Sequence, residues 1–169
     1  GFCYFNNIAI AVKKLLLKNF KVAVLDIDGH HGNGTEEILK GMENVIFVSI
    51  HQFPAYPGTG KYSFENCYNF PISPSSSSKK YIEKVEEGLE IIEKYGFGLA
   101  IQTKSDRILR DLDILKKINE KSKCVVQMTL TTYDDNLTKI IEPNVSTTKE
   151  RFEVLKIMRD NNIPTVIWL

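Results

Sequence analysis

Apolar residues at Ile8, Val12, Leu15 and Leu16 recur at helical spacing behind Asn6 and Asn7, either of which can cap, and predict a helix to about Lys18. Lys21 to Ile27, KVAVLDI, has the β-branched density of a short strand, and Val45 to Ile50, Phe97 to Thr103, Cys124 to Thr131 and Pro164 to Leu169 read the same way. A short helix is expected over Thr35 to Lys40. A strongly amphipathic helix is expected from about Lys79 to Lys94 on Ile82, Val85, Leu89 and Ile92. Ile108, Leu112, Leu115 and Ile118 mark another, and Phe152, Leu155 and Met158 the last. From His51 to Ser78, prolines, glycines, aromatics and the SPSSSS run predict a long irregular segment, which inside a compact domain is more often functional than idle. Strands alternating with helices imply right-handed βαβ crossovers: an α/β fold with a mainly parallel sheet, flanking helices, and ligands beyond the carboxyl ends of the strands. No internal repeat interrupts this order.

Composition narrows the setting. The 169 residues are 43% hydrophobic and 25% charged, which suits a soluble globular domain able to bury its own core. With 22 basic and 21 acidic residues the net charge is +1, so no broad electrostatic footprint for nucleic acid or an anionic membrane is indicated. No apolar run approaches the ~18 residues of a membrane helix, and the first twenty residues lack the pattern of a signal peptide. A cytoplasmic location is expected, and the oligomeric state is left open. The start without methionine and the final run IPTVIWL give the impression of a chain cut at both ends. Cys3, Cys67 and Cys124 are odd in number and far apart, which argues against a disulfide framework and for plain buried thiols.

The chemistry-bearing residues cluster after the first strand, in VLDIDGHHGNGT. Side chains alternate along a strand, so Asp26, Asp28 and His30 are expected to project to one side where the strand leaves the sheet. Two carboxylates and an imidazole suit a divalent cation, with zinc, iron(II) or manganese favoured by an oxygen and nitrogen donor set. The alternative is a polar loop whose acids cap the next helix. A phosphate-binding loop is excluded, because GHHGNGT lacks the Gly-Lys-Ser/Thr ending. His51, at a strand end, reads as a hydrogen-bonded structural group, and Phe2, Phe5 and Tyr56 as packing residues or channel walls.

Residues 1 to about 96 carry GFCYFNN, VAVLDIDGHHGNGTEEI and VSIHQFPAYPGTG, in an order and spacing that resemble the histone deacetylase and acetylpolyamine amidohydrolase family. The resemblance implies an arginase/deacetylase-type α/β core and hydrolysis of an acetyl-lysine or acetylpolyamine amide by a metal-activated water. By that resemblance Asp28 and His30 match two ligands of a catalytic Zn2+ or Fe2+. Asp26 matches an aspartate that orients a catalytic histidine and shares a structural K+ with Ser49, and Asn33 matches the second partner of the histidine pair. Gly1, Phe2 and Tyr56 match residues lining the acyl channel. The upstream His-His base and the downstream tyrosine of the family have no match within the chain, and His31 is not expected to replace them.

From about Phe97 the sequence changes character. TKSD, TLTT and EPNVSTTKERFEVLK resemble radical S-adenosylmethionine proteins of the spore photoproduct lyase type, and by that resemblance Lys104, Thr129 and Thr131 match positions that contact the S-adenosylmethionine cofactor. The CxxxCxxC motif that would hold a [4Fe-4S] cluster is absent, since Cys124 stands alone. AIQTKSD occupies the place of the family motif that supplies the third metal-binding aspartate, so Asp106 completes the metal site if both strands share one sheet. The expected organisation is therefore an incomplete deacetylase-like segment, 1–96, followed by an incomplete radical-enzyme-like βα segment, 97–169. The chain alone is expected to show little hydrolase activity; a fragment of a radical enzyme and a non-catalytic fusion are the rival readings.

Overall fold

In the computed structural model the described residues are 4–168, the side chain of residue 168 excepted. The chain divides into two compact units, Gly1–Phe97 and Gly98–Leu169. In the first, α1 (Asn7–Leu16), β1 (Val22–Asp26), α2 (Asn33–Leu39), β2 (Val45–Gln52), β3 (Cys67–Ile72) and α3 (Ser78–Lys94) follow in order. The strands form a parallel sheet in the order β1-β2-β3, in register from Val22↔Val45 to Asp26↔Ser49 and from Phe47↔Cys67 to Gln52↔Ile72. β2 is the central strand and is buried from Val45 to His51. Its neighbours β1 and β3 bound the sheet, and Pro71, which cannot donate to a ladder, sits on an edge strand where its loss of an N–H is tolerated.

Asn6 caps α1 by accepting the Ala9 N–H (2.9 Å). The face turned inward is Ala9, Val12 and Leu16, packed with Leu39, Val45, Phe47 and Cys67. Ile8 and Leu15, expected on the apolar face, are exposed. The Ala9–Val12–Leu16 row meets the sheet because the small alanine allows closer approach than the adjacent row. Ser77 caps α3, whose buried residues are Val85, Gly88, Leu89 and Ile92. The segment expected to be irregular contains β3. The connection 53–66 that precedes it brings the chain back parallel to β2 without a helix and includes cis bonds before Pro54 and Pro57.

In the second unit β4 (Leu99–Thr103), a 3-10 turn (Asp106–Asp111), α4 (Leu112–Lys121), β5 (Cys124–Thr129), α5 (Asp135–Ile141), α6 (Thr148–Asp160) and β6 (Thr165–Trp168) form a parallel sheet in the order β4-β5-β6. α5, capped by Asp134, was not expected from periodicity. α6 opens with a reciprocal capping box between Thr147 and Glu150. The described strands hydrogen-bond as two sets, β1-β2-β3 in the first unit and β4-β5-β6 in the second. Among the described residues no helix is long and apolar enough to cross a membrane.

Candidate metal site and the network beneath it

β1 ends at Asp26, and extended alternation does not carry on to Asp28 and His30 as expected. Two nested side-chain turns replace it. Asp26 Oδ1 accepts the Asp28 N–H (3.1 Å), and Asp28 Oδ1 accepts the His30 N–H (2.8 Å). Aspartate favours such turns because its carboxylate mimics a backbone acceptor two residues on. They still bring the pair together: His30 Nδ1 stands 3.1 Å from Asp28 Oδ1, both side chains 68% exposed. The His30 backbone N–H, chiefly, holds the Asp28 carboxyl below its usual range. Asp26 differs from Asp28. Burial pushes its carboxyl up, and the Gly32 backbone lies so close that a Cβ there would collide with Asp26 Oδ2.

The chemistry of the pair fits two ligands of a divalent cation. One ionised oxygen and one imidazole nitrogen share a proton that a metal ion can replace, and their 3.1 Å separation is close to what two bonds of about 2.0–2.1 Å from one ion span. Among the described residues, however, no group of three His, Cys, Asp or Glu side chains is placed to hold a metal, so Asp26 does not join the pair as a third ligand.

His31 turns the other way, into the core. It is 4% exposed, donates Nε2–H to Glu36 Oε2 (3.1 Å) and meets the Thr59 hydroxyl with Nδ1 (2.8 Å). Glu36 also accepts from Asn69 Nδ2 (2.5 Å). The His51 ring packs 4.5 Å from His31 between centroids, donates Nε2–H to the Gly60 carbonyl (3.1 Å) and accepts the Ser49 hydroxyl at Nδ1 (2.9 Å). Burial, then the neighbouring His31, lowers the His51 pKa. His51 is thus the structural histidine expected, and this buried network joins β1–α2, β2, β3 and the 53–66 connection under the exposed pair. Glu36, Thr59 and Asn69 carried no signal in the sequence, because their partners are 5 to 33 positions away.

The other expected residues fall as follows. Ser49 is fully buried opposite Asp26 in the ladder. Asn33 opens α2 and is exposed. Tyr56 is 67% exposed and edge-on to the His30 ring at 6.4 Å, so it is not a packing residue; Phe5, 74% exposed, is not one either. Gly1, Phe2 and Cys3 lie outside the described residues. Cys67 and Cys124 are buried, and burial pushes both thiols up to about 11. In the second unit, Asp106 donates its N–H to Ser146 Oγ and accepts that hydroxyl in return (both 2.9 Å). Lys104 and Thr131 both bind Glu142, which also receives the fully buried Arg151 (2.8 Å). Thr129 gives its carbonyl to the same guanidinium (2.9 Å).

A parallel α/β sheet with an Asp-x-His pair just beyond the carboxyl end of its first strand places the chain in a fold class, the α/β fold of the deacetylase type. The chain belongs to the histone deacetylase domain family, which matches residues 1–153 and so includes most of the segment likened above to radical enzymes. It is similar to a "Probable deacetylase" of Archaeoglobus fulgidus (44% identical over 100 residues; 53% of this chain, 27% of that one). It is also similar to an "Acetylpolyamine amidohydrolase" of Burkholderia pseudomallei (33% over 121 residues; 66% and 36%). Among solved structures, an acetylpolyamine aminohydrolase from Burkholderia pseudomallei superposes with a TM-score of 0.55 at 26% identity, over 99% of this chain and 44% of that one. The HDA15 HD domain superposes with a TM-score of 0.58 at 22% identity, over 95% and 57%, and shares the fold. The chain thus spans about a third or less of the curated relatives' length.

Proposed function

We propose that the chain carries part of the metal centre of an amidohydrolase that removes acetyl groups from acetylated amines, with Asp28 and His30 as two ligands of Zn2+ or Fe2+. The convergence of Asp28 Oδ1 and His30 Nδ1 at 3.1 Å, at the carboxyl end of β1, carries this reading. When bound, the metal would supply a Lewis acid and lower the pKa of a bound water. The residues of the chain prepare the place for it. Asp28 stays ionised to low pH and orients the His30 ring, while Tyr56 stands edge-on to that ring as a wall for the acyl chain. Asp26 and Ser49, facing each other in the ladder, are the proposed K+ site, and Asn33 a histidine partner. The names of the relatives support an acetylated polyamine as substrate, and acetyl-lysine is the related alternative. Without a third ligand among the described residues, the chain alone is proposed to bind metal with little turnover.

Thermal melting with added Zn2+ or Fe2+ tests the site, since a ligand that binds only the folded state raises the melting temperature. The rise should appear in wild type and vanish in Asp28→Ala and His30→Ala; equal rises in all three refute the assignment. Deacetylation of an acetyl-lysine peptide or an acetylated polyamine, abolished by His30→Ala, would support the metal site and overturn the expected inactivity.

A further inference from the structure

The Asp28–His30 pair is too exposed for packing to fix its direction, so what holds the surrounding peptides decides whether the donors stay aimed at one point. In a βαβ unit the N-terminal end of a helix lies at the carboxyl ends of the strands, and α3 lies close against them. A Cβ on Gly88 would stand 2.9 Å from Val48 Cγ1, 3.6 Å from Ile50 Cδ1 and 3.7 Å from Leu25 Cδ1, which places the helix backbone directly on β1 and β2. Tyr81 precedes Gly88 by about two turns and so shares its face, and helical side chains lean toward the N-terminus. Its hydroxyl reaches past the end of β1 and donates to the Ile27 carbonyl at 3.2 Å. On the far side of Asp28, the Gly29 carbonyl accepts the N–H of Gln52, the last residue of β2, at 3.0 Å.

The peptide before Asp28 and the peptide before His30 are therefore each held from outside the turn, one by a helix side chain and one by strand backbone. We propose that Tyr81 is a positioning residue for the metal ligands: its hydroxyl fixes the Ile27–Asp28 peptide, hence the direction of the Asp28 carboxylate and, through the turn, of His30. The inference rests on the reading of Asp28 and His30 as ligands. Removing the hydroxyl leaves the aromatic ring in place, and water can satisfy the Ile27 carbonyl at the surface. The fold should therefore persist while the aim of the pair loosens.

Cobalt(II) titration of the full chain, followed by the visible absorption of the bound ion, reads affinity and ligand arrangement without turnover. Tyr81→Phe should melt at the wild-type temperature in EDTA, bind Co2+ about tenfold more weakly, as loss of an outer-shell partner typically costs, and show an altered absorption band. A wild-type affinity and band in Tyr81→Phe overturn the proposal while leaving the ligand reading intact. A drop in melting temperature in EDTA large enough to account for the weaker binding also overturns it, as a merely structural role. If wild type binds no Co2+, or His30→Ala binds it equally well, the ligand reading itself fails and the role of Tyr81 falls with it.

Discussion

Gly60 offers a direct test of how rigid the buried histidine pair is. Its φ is +80°, and a Cβ built there would stand 2.6 Å from both His31 Cδ2 and His51 Cε1 and would overlap His51 Nε2. Neither ring can step aside: His31 is fixed between Glu36 and Thr59, His51 between Ser49 and the Gly60 carbonyl itself. Gly60→Ala therefore combines three costs. A side chain in the left-handed region costs about 1 kcal/mol. Forcing an extra carbon into a packed core costs about 1–3 kcal/mol. Displacing the carbonyl from His51 leaves a buried N–H unpaired, about 1–3 kcal/mol more. The sum, on the order of 3–7 kcal/mol, approaches the whole stability of a small domain. Gly58 separates the terms, because its φ is also +80° but nothing lies within 4 Å of its Cβ; Gly34 has neither problem. In urea unfolding monitored by circular dichroism, Gly34→Ala should match or exceed wild type, Gly58→Ala should lose about 1 kcal/mol, and Gly60→Ala several times that. Equal losses at positions 58 and 60 would refute the claim that the histidine pair is close-packed against this glycine.

Asn66 ties three elements: its Nδ2 donates to the carbonyls of Leu39 (3.0 Å), Met42 (3.4 Å) and Val45 (3.1 Å), and its Oδ1 accepts the Gly41 N–H (2.7 Å). Asn66→Asp would turn an acceptor toward those carbonyls and should lower the urea midpoint by more than Asn66→Ala, on the order of 2–4 kcal/mol in stability. Asp26 has its pKa raised by burial, so its charge opposes folding; stability contributed by its neutral form is present below the usual carboxylate range and fades as pH rises through the raised pKa. Asp26→Asn should therefore raise the melting temperature of the metal-free protein at neutral pH and flatten its pH dependence. Glu142 has the opposite sign: hydrogen bonds from Lys104, then Arg151 and Thr131, hold it at about 2 against a usual 4.5. The stability it supplies is present above pH 4.5 and lost as pH falls toward 2, and Glu142→Gln, which leaves the buried Arg151 without its counter-charge, should remove that acid slope and destabilise by about 3–5 kcal/mol.

Period and spacing carried the strands β1, β2, β4, β5 and β6, because uninterrupted β-branched runs have few other conformations in which to bury themselves. β3 was hidden by its own composition: CYNFPI contains Asn69 and Pro71, and a strand at the sheet edge tolerates both. α5 was hidden because its apolar residues Leu137, Ile140 and Ile141 are exposed while Thr138 is the residue it buries, so no apolar face marks it. α1 was legible as a helix but not in its orientation, because Ile8 and Leu15 outrank Ala9 in hydrophobicity and only the sheet decides which row fits. That Asp28 and His30 would come together was expected from their spacing, although the geometry that unites them is a pair of side-chain turns and not an extended strand. Of the buried network, His51 was legible and its partners were not. A glutamate in a short helix and a histidine in a glycine-rich loop both read as solvated until the fold brings them together.

The dipeptide His30–His31 concentrates these lessons. Its two rings have opposite fates, one 68% exposed in its side chain beside Asp28 and the other 4% exposed against Glu36 and Thr59. The burial of His31 is what makes the exposure of His30 useful, because an exposed loop with three glycines would otherwise lose any fixed direction to conformational entropy. Anchored below by α2 and the 53–66 connection, and at the flanking peptides by Tyr81 and Gln52, the turn is held on both sides of the two donors. The proposed site does not need its two ligands to be buried. It needs the residue after them to be buried, and the polar partners that make such burial possible come from segments with no chemistry of their own to reveal them.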